Sequence, residues 1–206
     1  MVFTLTVTDL TKRFGTRTVF SNLQFDLTTG RSLAAVGPNG SGKTTLLMTL
    51  LALYRPTMGS VTLTEDGQPV EESRCRAVTG LVAPYLNLYE QLTAEENLKF
   101  FANMSGVNVT GKRIDSLLER VGLAGRGCDP VGEYSSGMKQ RLKYALALMK
   151  DPALLALDEP GSNLDEQGKQ VVRDIVTEYR ERCILVIASS EAEEASLADR
   201  QLRLGE

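Results

Sequence analysis

The chain has 206 residues, of which 42% are hydrophobic, enough for one domain with a sizeable core or for one domain with a subdomain. Lys and Arg number 23 against 26 Asp and Glu, a net charge of −3 that argues against a nucleic-acid-binding surface as the main function. There is no histidine, which excludes any mechanism with a histidine base. In chain order, Met1 to Leu10 alternates apolar and polar residues and lacks a basic start, so it is not read as a signal peptide. Phe3 to Thr8 (FTLTVT) reads as a half-buried strand and Gln24 to Leu27 as a second, with Phe14 on a loop between them. Leu33 to Val36 is a short buried strand, and Leu46 to Leu51 a buried helix. Ser60 to Thr64 reads as an edge strand, followed by a hairpin turn at Glu65-Asp66-Gly67-Gln68 and a strand over Val78 to Val82.

Beyond Val82 the character changes. Thr93-Ala94-Glu95-Glu96 has the spacing of a capping box and opens a helix through Asn103. Lys112 to Val121 and Ser135 to Lys150 are further helices, so residues 83–150 form an inserted helical block. Strand and helix then alternate: Ala153 to Leu157, Glu166 to Arg180, Cys183 to Ala188, Glu191 to Ala198, Gln201 to Leu204. This order implies an α/β fold with a parallel sheet, and such sheets bind ligands outside the carboxyl ends of their strands. No run approaches about 18 apolar residues, so no spanning helix is expected. Cys75, Cys128 and Cys183 are too scattered for a zinc site or a disulfide framework, and a reducing cytosol is the simplest compartment.

The chemistry concentrates in three stretches. Gly37-Pro38-Asn39-Gly40-Ser41-Gly42-Lys43-Thr44-Thr45 fits G-x-x-x-x-G-K-[ST] between an apolar strand and a helix. Its glycines let backbone N–H groups surround phosphate oxygens at a positive helix end. Lys43 suits the β- and γ-phosphates, and the Thr44 hydroxyl suits Mg²⁺. Leu154 to Leu157 delivers Asp158 and Glu159 at a strand tip. Adjacent residues of an extended chain point to opposite sides, so Asp158 is free to hold Mg²⁺ while Glu159 faces an attacking water; a solvated acidic turn before Pro160 is the alternative, and the phosphate loop favours the functional reading over it. Tyr134 to Arg141 (YSSGMKQR) opens a helix with small residues, which suit an anion site, although taken alone the stretch reads better as an ordinary serine N-cap.

Together these stretches resemble the nucleotide-binding domains of ATP-binding cassette (ABC) proteins over nearly the whole chain. GPNGSGKTT resembles the Walker A motif, LLALDEP the Walker B motif with its catalytic glutamate, and YSSGMKQR the LSGGQKQR signature. Gly161 to Asp165 resembles the D-loop, and Phe14 falls where the family stacks an aromatic on adenine. The resemblance implies a single P-loop NTPase domain over residues 1–206, with a mixed or parallel sheet core, an N-terminal antiparallel β subdomain, and a helical subdomain at 83–150 carrying the signature. It implies ATP and Mg²⁺ as cofactors, with Thr44 and Asp158 at the metal and Glu159 as the catalytic residue. Two such domains, identical or similar, meet head to tail, so Ser135, Ser136 and Gly137 contact ATP across the dimer, beside Asp165 of the D-loop. The expected role is the ATPase of a membrane transporter, on the cytoplasmic face of the inner or plasma membrane, with a separate transmembrane permease subunit; there is a fainter likeness to the haem-exporter ATPases of cytochrome c maturation.

Two positions depart from the family besides the signature's Y-S-S-G-M. Pro84 stands where the family carries a glutamine, and Ser190 where it carries a histidine. They open the alternative of a weakly hydrolysing ATP switch. A soluble ATPase of an assembly scaffold, such as one for Fe–S biogenesis, is the other alternative. The short separation of Lys43 and Ser135 leaves no room for the coiled coil of DNA-repair members. Tyr85-Leu86-Asn87-Leu88-Tyr89 is expected to dock the membrane partner, the alternative being that these side chains cover the joint between the two subdomains.

Overall fold

The computed structural model describes residues 1–205, except the side chains of Glu72 and Ser73. β1 (Phe3–Phe14), β2 (Arg17–Thr28), β4 (Met58–Glu65) and β5 (Gln68–Pro69) form an antiparallel sheet in the order β2-β1-β4-β5. β3 (Ser32–Val36), β6 (Thr79–Val82), β7 (Leu154–Asp158), β8 (Ile184–Ser189) and β9 (Arg200–Arg203) form a parallel sheet in the order β6-β7-β8-β3-β9. The helices are α1 (Lys43–Leu50), α2 (Glu72–Ala77), α3 (Ala94–Met104), α4 (Gly111–Arg120), α5 (Ser136–Leu148), α6 (Glu166–Arg182) and α7 (Ala192–Ala195).

The parallel sheet is covered on both faces, and its strands show why. Every residue of β7 and of β8 is buried, as continuous apolar strands in such sheets must be. Alternate residues point to opposite faces. Leu155, Leu157, Leu185 and Ile187 join one core with α3 to α6, while Leu154, Ala156, Ile184 and Val186 join another with α1 and the antiparallel sheet.

β1 and β2 are longer than alternation indicates. A bulge at Asp9, with φ of 48°, interrupts the period-two pattern after Thr8, and pairing resumes as far as Phe14 opposite Arg17. Phe14 therefore ends a strand instead of lying in a loop. α2 has too few apolar residues to show a helical period. The expected hairpin at Asp66-Gly67 is present, with Glu65 opposite Gln68 and positive φ at both central residues. α3 carries the expected capping box: the Thr93 hydroxyl accepts from Glu96 N at 3.1 Å and Glu96 accepts from Thr93 N at 2.8 Å.

Register then positions the site. Val36 pairs with Ser189, Asp158 with Ala188 and Val82 with Leu157, so four strands end on one edge. The segments that follow, Gly37 to Gly42, Glu159 to Asp165, Ser190 and Ala83 to Tyr89, all leave from that edge.

Candidate nucleotide site

A cleft of about 480 Å³ opens there, lined by Asn39, Gly40, Gly42, Lys43, Thr44, Thr45, Asp158 and Glu159, and by Phe14, Arg17, Val19, Pro84 and Tyr85. Gly42 precedes α1 with φ of 102°, and a Cβ there would meet Val19 Cγ1 at 2.3 Å, so only glycine lets the loop close on β2. The first turn of α1 has no acidic residue, which leaves its N–H groups and dipole facing the cleft. Gly37 and Pro38 lie behind the loop: their carbonyls accept from Lys43 Nζ at 2.8 and 3.3 Å. Ser41 is buried and its hydroxyl has no hydrogen-bond partner among the described residues.

Lys43 is only 6% exposed and pairs with Glu159 Oε1 at 3.7 Å. Glu159 sits at φ of 46° just beyond β7, its N–H bonded to the Ala188 carbonyl, and this turn swings it away from Asp158. The Thr44 hydroxyl donates to Asp158 Oδ2 at 2.7 Å, while Oδ1 is buried without a hydrogen bond from any described residue. Burial raises the Asp158 carboxyl above the usual carboxylate range, opposed by Thr44, Tyr85 and the Lys43 charge. An orphaned carboxylate oxygen beside a hydroxyl is a hard-oxygen donor pair that fits Mg²⁺, a cation usually held by one or two protein oxygens together with substrate phosphates.

Phe14, Arg17, Val19, Pro84 and Tyr85 line this cleft from outside the motif stretches. The Arg17 guanidinium donates to the Gly40 carbonyl at 3.2 Å and so ties the β1–β2 hairpin to the phosphate loop, with Val19 packed beneath Gly42. Tyr85 is the neighbour of Asp158, and burial first, then that carboxylate, pushes its phenol well above the ordinary range. Phe14 is half exposed at the other end, edge-on to Tyr54 at 6.0 Å and under the Lys12 ammonium.

The Ser190 hydroxyl lies 3.3 Å from Glu159 Oε1. The turn after Glu159 is held from two sides. The fully buried Tyr144 of α5 donates to the Pro160 carbonyl at 2.9 Å, and Glu194 accepts from Gly161 N at 2.7 Å and from the Ser189 hydroxyl at 2.5 Å. Burial raises the Glu194 carboxyl.

Ser135, Ser136 and Gly137 are not among the residues lining the cleft. Ser135 is exposed and caps α5, accepting from Met138 N at 3.2 Å, so the N-cap reading holds and the N–H groups of Ser136 and Gly137 remain outward. Gly137 packs on the backbone of Asn163, and Asp165 caps α6 by accepting from Gly168 N at 2.8 Å. The stretch from Tyr85 to Tyr89 divides. Tyr85 faces the cleft, whereas Leu86, Asn87 and Leu88 line a second, apolar groove of about 280 Å³ with Leu51, Leu81 and Phe101. Tyr89 stacks edge-on against Phe100 at 4.8 Å.

The chain is similar to known proteins in sequence and in fold. Residues 20–162 match the sequence family described as ABC transporter. An uncharacterized ABC transporter ATP-binding protein, YdbJ of Bacillus subtilis (strain 168), is 37% identical over 177 residues, covering 86% of this chain and 57% of that protein. The lantibiotic transport ATP-binding protein SrtF of Streptococcus pyogenes is 35% identical over 186 residues, 90% of this chain and 79% of that one. A putative ABC transporter (ATP-binding protein) from Pyrococcus furiosus superposes with a TM-score of 0.83 at 27% identity, over 98% of this chain and 97% of that one. The chain thus spans little more than half the length of YdbJ. With a matched family segment that takes in the phosphate loop, the signature stretch and the Asp158–Glu159 strand tip, the chain belongs to the ABC transporter family.

Proposed function

We propose that this chain is an ATP-binding and ATP-hydrolysing subunit of an ABC membrane transporter, working as a head-to-tail dimer with itself or a similar chain. The observation that carries it is the division of the motifs. Lys43, Thr44, Asp158 and Glu159 converge on one cleft, while the outward N–H groups at the start of α5 lie outside it. A second cleft, from a partner, completes those donors, and Asn163 and Asp165 stand beside them. Phe14 receives the adenine, Asn39 to Thr45 the phosphates, and Thr44 with Asp158 hold Mg²⁺, which supplies charge neutralisation between phosphate oxygens when bound. Lys43 exchanges Glu159 for phosphate, leaving the carboxylate to orient and deprotonate water.

The groove beside Leu86 and Leu88, within the helical part over 83–150, receives a segment of a separate membrane-spanning permease. Among the described residues no helix is long and apolar enough to cross a membrane. The chain then works at the cytoplasmic face of the membrane, bound through that partner.

Glu159→Gln tests the reading. It keeps the shape of the site and removes the proton acceptor. ATP binding is expected to persist, hydrolysis to fall by about 100-fold or more, and gel filtration with ATP to show a trapped dimer. Parental hydrolysis by the variant would move the base elsewhere. A second reading, an ATP switch with slow turnover, is favoured by Pro84 in the cleft and Ser190 at Glu159. Single-turnover hydrolysis slower than the lifetime of the ATP dimer would select it.

A further inference from the structure

The loop after β6 enters the nucleotide cleft with Pro84, which brings no side-chain donor, and then with Tyr85. Tyr85 is 45% exposed, so its ring is not spent on core packing. Its hydroxyl neighbours Asp158, whose Oδ2 is committed to Thr44 while Oδ1 is buried without a hydrogen bond from any described residue. The backbone just before it is gripped. Lys143, 8% exposed in the middle of α5, donates to the Pro84 carbonyl at 2.6 Å and to the Ala83 carbonyl at 3.2 Å. A buried ammonium is costly unless its donors are received, so these two carbonyls are as necessary to Lys143 as Lys143 is to the loop.

We infer that Tyr85 completes the polar wall beside Asp158, contributing its hydroxyl to the oxygen shell of the divalent cation, and that Lys143 is a positioning residue acting through the Pro84 carbonyl. A phenol donates and accepts, as the amide of a glutamine does, but on a rigid ring that reaches from the next residue. Lys143 belongs to the helix that opens with Ser135, so the cation edge of one cleft is fixed to the surface offered to the second. This inference rests on the proposed Mg²⁺–ATP reading of the cleft.

Titration calorimetry of the full chain with ATP, in EDTA and in Mg²⁺, separates the two. The parent is expected to bind more tightly with Mg²⁺. Tyr85→Phe is expected to lose about tenfold of the magnesium gain, read as the ratio of its affinities in Mg²⁺ and in EDTA, the order of one hydrogen bond. Tyr85→Gln supplies a polar amide in place of the hydroxyl and is expected to recover most of it. Lys143→Met, with its melting temperature followed in parallel, is expected to lose the gain in the same direction, and Lys143→Arg to keep it. A Phe variant with the parental magnesium gain, or a Gln variant as poor as Phe, would overturn the role of the hydroxyl. Parental gain in a folded Lys143→Met would overturn the positioning role. A parent whose affinity ignores Mg²⁺ would remove the cation assignment itself, and Tyr85's part with it.

Discussion

A lysine ammonium that is 6% exposed must be compensated by its surroundings, and Lys43 is compensated three times: by the Gly37 and Pro38 carbonyls and by Glu159. The residue therefore shapes its own loop as well as facing the cleft. Lys43→Ala removes a charge-assisted contact of about 1.5–3 kcal/mol to phosphate. ATP affinity, measured by fluorescent-nucleotide titration, is expected to fall by about tenfold or more, the equivalent of that energy. The melting curve is expected to stay cooperative, since the loop's close approach to β2 depends on Gly42. Affinity unchanged in a folded variant would remove the phosphate-loop assignment. At this scale the motif residues could be read from the chain because their chemistry is local: Gly42, Lys43 and Thr44 are consecutive, and so are Asp158 and Glu159. Arg17 and Tyr85 could not. Their meaning comes from contacts with Gly40 and Asp158, which only the folded strands bring near.

Elements place these residues, and two features set how much of each element the sequence discloses. Continuous apolar runs such as Leu154 to Leu157, and caps such as Thr93 with Glu96, announce themselves. A bulge does the opposite: Asp9 conceals the second half of β1, and with it the placing of Phe14 on a strand end. The division of Tyr85 from Leu86 and Leu88 was equally hidden, because an irregular segment gives no period from which to tell its two sides. α5 shows how elements act together. Its first turn faces outward, Lys143 holds the loop before Tyr85, and Tyr144 holds the turn after Glu159. Tyr144→Phe leaves the ring packed and the Pro160 carbonyl without its buried donor. Loss of about 1–3 kcal/mol is expected from urea unfolding. Hydrolysis is expected to fall more than ATP affinity, because the turn carries Glu159 and the phosphate loop does not depend on it. Equal falls in both would make the contact structural only.

At the scale of the whole molecule, strand register gathers residues from four distant segments onto one edge, and helical packing carries one motif away from it. The antiparallel sheet brings Phe14 and Arg17 to one end of the cleft; the parallel sheet supplies its floor. The apolar groove lies on the other side of the Tyr85 loop, so one short segment borders both the cleft and the groove. That arrangement would give a change in the cleft a route to the proposed permease segment without any intervening domain.

The outward position of Ser135 has a consequence for inheritance. If each working centre takes its phosphate loop from one copy and its α5 start from the other, two broken genes can mend one another. Lys43→Ala and Ser135→Arg, each inactive alone, should regain hydrolysis when mixed as separate chains, because one centre of the mixed pair then draws both intact parts. The same two lesions placed together on one chain and mixed with parent leave no intact centre in the mixed pair. Complementation between alleles in the first case and dominance in the second, scored as phosphate release from co-expressed tagged pairs, is the expected pattern. Loss in the first mixture, with the parent's activity retained in the second, would mean that each copy completes its own centre.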